Sequence, residues 1–144
     1  MKKIMKKVGI LFMVSVMTMS SQGVKAEEID YDEAETEITR YVNTNYVDAS
    51  LLISSGTATC KGSNRMITNH DSKITMTLQK SSDGSSYSKV TAWSQTYTGT
   101  GLKTLTKTKA VTAGYYYRAR VVVRVYSGSD VIEKITKYSS VVHY

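Results

Sequence analysis

Two histidines, one cysteine, eleven tyrosines and a set of arginines are the side chains here whose types and spacing could do chemistry. His70 is followed by Asp71, which would suit a base-and-orienter pair acting on one of the many serines. Such a site needs a converging constellation, and the other histidine, His143, stands far along the chain. A solvated loop dipeptide is the simpler reading, and a hydrolase is kept only as a remote alternative. One Cys and two distant His give no zinc spacing. The acids between Glu27 and Glu37 lack the alternating oxygen ligands and central Gly of a calcium loop. No Gly-rich phosphate loop follows a strand. No catalytic residue, metal or cofactor is expected.

The arginines are more informative. Arg118, Arg120 and Arg124 fall at even positions of the run Val111 to Tyr126, flanked by Tyr116 and Tyr126. Alternate side chains of a strand share a face, so these five would lie together. The odd positions, Tyr115, Tyr117, Ala119, Val121, Val123 and Val125, form an apolar face. If Ile135 on the next strand faces inward, Lys134 and Tyr138 join the cationic surface. Trp93 is a further aromatic candidate. Like charges side by side on a sheet repel. The patch would hold a polyanion, such as an anionic cell-wall polymer or acidic glycan, or else a host protein. Nucleic acid is the least expected of these partners. A solvated face whose Arg stems cover apolar surface is the competing reading. A third is internal: the seven-acid segment from Glu27 to Glu37 would lie across the stripe. Tyrosines supply stiff contact area with a polar tip, but they also favour strands.

The elements that must position this surface follow from the rest of the chain. Residues 1–26 read as a signal peptide: Lys2, Lys3, Lys6 and Lys7, an apolar run from Val8 to Met19, then Val24-Lys25-Ala26. That run is short for a membrane span, and no second apolar stretch follows. Five of the 19 basic residues leave with the signal, so 14 basic face 12 acidic residues in the mature chain. The distribution is uneven. Seven acids between Glu27 and Glu37 open an acidic leader, 27–46, with capping-box spacing at Asp30 and Glu33 and a short helical pattern. From Ile38 onward 14 basic residues stand against five acidic ones.

Residues 47–144 carry period-two patterning. Val47 to Gly62 reads as one strand or two collinear ones, with Leu52, Ser54, Gly56, Ala58, Cys60 and Gly62 on a small-residue face. Residues 63–71 read as a loop. Ile74, Met76 and Leu78 mark a half-buried strand, and Asp83-Gly84 a hairpin. Tyr87 to Thr96 has its apolar residues out of phase, which a β-bulge would reconcile. Leu102 to Lys109 is an edge strand guarded by lysines. Six or seven short strands bounded by turns predict an all-β antiparallel sandwich.

Val111-x-Ala113-Gly114-x-x-Tyr117 resembles the tyrosine corner of immunoglobulin-like and fibronectin type III domains. The resemblance implies that the Tyr117 hydroxyl bonds back to upstream backbone and that Gly114 shapes the loop. It puts Ala119 where disulfide-bearing relatives carry their second Cys. Cys60 stands where the first would be, which implies a buried free thiol facing the Ala119 region. Gly56-Thr57-Ala58-Thr59-Cys60, Thr77-Leu78-Gln79-Lys80 with Trp93, Gly114 to Arg118, and Thr136-Lys137-Tyr138-Ser139 resemble a family of short secreted proteins of unknown function from Gram-positive gut bacteria. That resemblance covers about residues 50–140, nearly the whole predicted sandwich. It implies fold and export and carries no active site. The expectation is a secreted, extracellular, non-catalytic binding module, held to the cell wall by charge. A bacteriocin-like or inhibitor-type effector is the alternative.

Overall fold

The computed structural model describes residues 42–144. The predicted signal peptide and residues 27–41 of the acidic leader, with its short helical pattern, lie outside the described residues; the leader's last three residues, 44–46, belong to β1, so the sandwich begins before the expected residue 47. Eight antiparallel strands follow: β1 (Thr44–Ser54), β2 (Thr57–Met66), β3 (Asp71–Ser81), β4 (Ser88–Tyr97), β5 (Gly101–Ala110), β6 (Tyr116–Ser127), β7 (Asp130–Tyr138) and the short β8 (Val142–His143). One sheet has the order β1-β2-β5. The other has β4-β3-β6-β7, with β8 continuing beside β6 where β7 ends. The two pack as an immunoglobulin-like sandwich. In constant-type immunoglobulin domains the fourth strand joins the first sheet. Here β4 stays beside β3, as in fibronectin type III domains.

The core comes from alternation. β6 sends Tyr117, Ala119, Val121, Val123 and Val125 inward, all at most 1 % exposed. β3 adds Ile74, Met76 and Leu78, β7 adds Ile135, and the facing sheet adds Val47, Ala58, Cys60 and Leu105. Close approach of the sheets requires Gly62: a Cβ there would stand 2.9 Å from Val121 Cγ2 and 3.3 Å from Ile74 Cγ2. The tyrosine corner is present. Tyr117 is buried, and its hydroxyl donates to the Thr112 carbonyl at 2.6 Å. Cys60 is a buried free thiol. The predicted bulge falls at Val90, because Leu78 pairs with Thr91 and Gln79 with Lys89. β5 is an edge strand carrying Lys103, Lys107 and Lys109.

Two expectations need correction. Val47 to Gly62 is not one strand or a collinear pair but a hairpin. Ser54 pairs with Thr57 across a two-residue turn in which Ser55 (φ 51) and Gly56 (φ 77) are both left-handed. Such a turn suits the twist of its flanking strands. It also resets the phase: Leu51 and Ile53 pack toward the core, while Leu52, expected inward, is exposed. The loop expected over 63–71 shrinks to 67–70. β2 runs on to Met66, with Asn64 and Met66 inward and Arg65 outward.

Candidate functional site

The outer face of the five-stranded sheet is assembled by register. Directly opposite residues on paired antiparallel strands share a face. Lys73, Arg124 and Lys134 therefore form one row across β3, β6 and β7. Thr75, Val122 and Thr136 form the next, then Thr77, Arg120 and Tyr138, and then Lys89, Gln79 and Arg118 on β4, β3 and β6. Among the described residues the face carries six cations and one carboxylate, Asp71, which sits opposite Tyr126 at its far end.

This brings together the predicted residues Tyr116, Arg118, Arg120, Arg124, Tyr126, Lys134 and Tyr138. It does not bring Trp93. Trp93 lies opposite Met76 on the inner side and packs against the core, so it is a packing residue. Not all of this face is open: Arg120 is 3 % exposed, Lys134 2 % and Val122 1 %, so these side chains are shielded from direct contact. Lys73, Lys89, Arg118 and Arg124 are half-buried and reach solvent.

Arg118 is held more tightly than any other cation on the face whose contacts are fully described. Its guanidinium lies 4.0 Å from the Tyr87 ring centroid and 4.3 Å from that of Tyr138. Its Nε donates to Gln79 Oε1 at 2.7 Å. One ring precedes β4 and the other ends β7, so the two walls come from opposite sides of β6. Tyr116 stacks on His143 at 4.1 Å between centroids and 11° between planes, and Gly84 of the β3–β4 loop lies beneath it. Lys80 sits over Tyr115 at 4.5 Å.

Sequence reading missed Lys73, Lys89, Gln79 and Tyr87. Lys73 carried a signal, since it precedes the inward Ile74 by one residue. Placing it beside Arg124 requires the β3–β6 pairing. Tyr87 and Lys89 precede the bulge at Val90, which hides their phase.

The histidines do not converge on a nucleophile. His70 Nδ1 is 3.0 Å from Thr68 Oγ1, but that hydroxyl gives its one proton to Asn43 Oδ1 at 2.7 Å. His70 Nδ1 must then be the donor in that pair, which leaves Nε2 as the acceptor nitrogen. His143 pairs with Tyr116 and Asp71 with Tyr126, at opposite ends of β6. At ~3.3 Å per residue that places them roughly 33 Å apart. Among the described residues no three His, Cys, Asp or Glu side chains gather to hold a metal ion. No helix among them is long and apolar enough to cross a membrane.

No family model matches the chain, and no curated protein matches it.

Proposed function

We propose that this protein is a secreted, non-catalytic binding module that receives an anionic polymer on the outer face of the β4-β3-β6-β7 sheet. The observation that carries the reading is the charge of that face, six cations to one carboxylate among the described residues, gathered from four strands by register. Charges aligned this way raise the local concentration of a polyanion and steer it to the surface. Half-buried Tyr126 and exposed Tyr138 border the cations and offer stacking area to sugar rings. The ligand class is an acidic glycan or a phosphate-bearing wall polymer, and export would bring the protein to it.

The test is adsorption of the protein to purified Gram-positive cell wall, eluted with a salt gradient. Elution should move to higher salt as the wall preparation is enriched in anionic polymer. Replacing Lys73 and Arg124 together by Gln should lower the eluting salt concentration, because two positive charges are removed from the face and screening acts on those that remain. Elution indifferent to ionic strength would sink the reading.

A further inference from the structure

Within that face Arg118 differs in kind from the other cations. A flexible surface arginine loses rotamer freedom when a ligand fixes it. Arg118 is already fixed. Tyr87 covers one side of its guanidinium at 4.0 Å, Tyr138 covers the other at 4.3 Å, and Gln79 Oε1 takes the Nε proton at 2.7 Å. What remains is the pair of terminal nitrogens, Nη1 and Nη2. Among the described residues these make no hydrogen bond, and the residue is half-buried rather than enclosed. The guanidinium is thus a planar fork, clamped on both faces and anchored at its base, with its open end toward solvent.

We propose that Arg118 is a preformed oxyanion receptor that binds one carboxylate or phosphate group of the ligand through its Nη pair. This deepens the function proposed above and rests on it. A fork held in one plane matches the two oxygens of a carboxylate, or two of a phosphate, in parallel N–H···O bonds. Aromatic rings this close on the β4 and β7 sides restrict the plane from turning and exclude water from the contact. Holding the fork in advance removes an ordering cost that a free side chain would meet on binding. Tyr138 is 45 % exposed and lies at the mouth, where a sugar bearing the anion can rest on it.

The test uses inorganic polyphosphate and polygalacturonate as probes, titrated into the full chain at moderate salt. Arg118→Lys keeps the charge but loses both the fork and the stacking geometry. It should weaken the probe that binds by about tenfold or more, the value of a charge-assisted bidentate contact. Tyr138→Ala removes one wall at an exposed position and should weaken binding about two- to fivefold, the value of one cation–π contact, while Tyr138→Phe should not. The ¹⁵Nε–Hε and Nη signals of Arg118 should be sharp in the free protein, and the Nη signals should shift when probe is added. Binding of polyphosphate alone identifies a phosphate ligand, binding of polygalacturonate alone a carboxylate one, and either supports the receptor. Arg118→Lys or Tyr138→Ala binding as tightly as the wild type overturns it, while salt-sensitive wild-type binding would leave the charged-face reading standing. A wild type that binds neither probe overturns both.

Discussion

Gly62 of β2 and Val121 of β6 meet across the core so closely that a single added methyl would fall 2.9 Å from Val121 Cγ2. The backbone at Gly62 is ordinary extended strand, so it is the space and not the dihedral angle that demands glycine. Gly62→Ala must push β2 and β6 apart or force Val121 off its rotamer. Overpacking of this kind costs about 1–3 kcal/mol. Urea unfolding should show a midpoint lowered accordingly with an unchanged slope. Adding Val121→Ala to Gly62→Ala should recover part of the loss, because the two changes share one volume. A neutral Gly62→Ala would mean that the sheets sit farther apart than described.

The same contact fixes how Cys60 faces β6. β2 ends and β3 begins on either side of residues 67–70, and β3 runs antiparallel to β6, so β2 and β6 run in the same direction. Two residues back along each strand from Gly62 and Val121 stand Cys60 and Ala119, both fully buried. Ala119→Cys should therefore close an inter-sheet disulfide under mild oxidation, joining a loop of about 60 residues and adding up to about 4 kcal/mol. A mass two daltons lower than the reduced form, with a raised Tm, would report it. A variant that stays reduced would show that the two strands are misaligned.

Burial pushes the Cys60 thiol from its ordinary 9.0 up to about 11. It should not react with a thiol reagent at neutral pH until the protein is denatured. The unfolded thiol ionises near 9.0 while the folded one stays protonated to about 11, so the unfolded state binds fewer protons in that window. This contribution to stability should accordingly fall as pH rises between them. Cys60→Ala removes that share of the alkaline loss, and the difference between the two pH profiles isolates it from lysine and tyrosine titration. Parallel profiles would contradict the burial.

Asp83 reports on the opposite end of the pH scale. The amides of Ser85 and Ser86, then the Ser81 hydroxyl, hold its carboxylate down to about 2 from an ordinary 3.8. The order this gives to the β3–β4 loop should be present above pH 3.8 and lost as pH falls through about 2. Ser81→Ala removes one donor to the carboxylate, and with it the acceptor for the Asp83 and Gly84 amides. The Asp83 carboxyl pKa, followed by NMR, should then rise toward its ordinary value. A pKa unchanged by Ser81→Ala would show that the loop holds the charge by backbone alone.

Much of this architecture was legible in the chain. The period-two run through β6 fixed which way its valines point, and the spacing Val111-x-x-Gly114-x-x-Tyr117 located the corner. What stayed hidden depends on contacts between distant segments. Ser55 occupies a left-handed position that glycine or asparagine usually marks, so the β1–β2 turn read as continuous alternation. The row Lys73–Arg124–Lys134 exists only through pairing of three strands. Arg118 was visible as a cation, but its two walls arrive from Tyr87 and Tyr138, on either side of it in sequence. Glu133 stands two residues before the inward Ile135 and so faces inward, opposite Val125; the partner it meets there, Asn43, lies 90 residues away in sequence.

That inward position makes Glu133 the clip between β7 and the start of β1. It is 1 % exposed, and its Oε1 accepts from the Asn43 amide at 3.0 Å, from Asn43 Nδ2 at 3.1 Å and from the Val42 amide at 3.3 Å. Asn43 in turn takes the Thr68 hydroxyl on its Oδ1 and the Ile67 amide on its carbonyl, so one carboxylate organises the β1 start and the β2–β3 turn together. Glu133→Ala leaves two backbone amides and one side-chain amide without an acceptor. Hydrogen bonds to a charged group are worth about 1.5–3 kcal/mol each in net terms, and one such loss with partial water rescue of the rest predicts a destabilisation of about 2–4 kcal/mol. Glu133→Gln retains an acceptor oxygen but not the charge and should lose about half as much. Hydrogen exchange separates a clip from a general core defect: the Asn43 and Ile67 amides should lose protection in Glu133→Gln, while those of Val121 and Val123 keep theirs. Uniform loss across all four amides would show that Glu133 supports the whole sandwich rather than this corner of it.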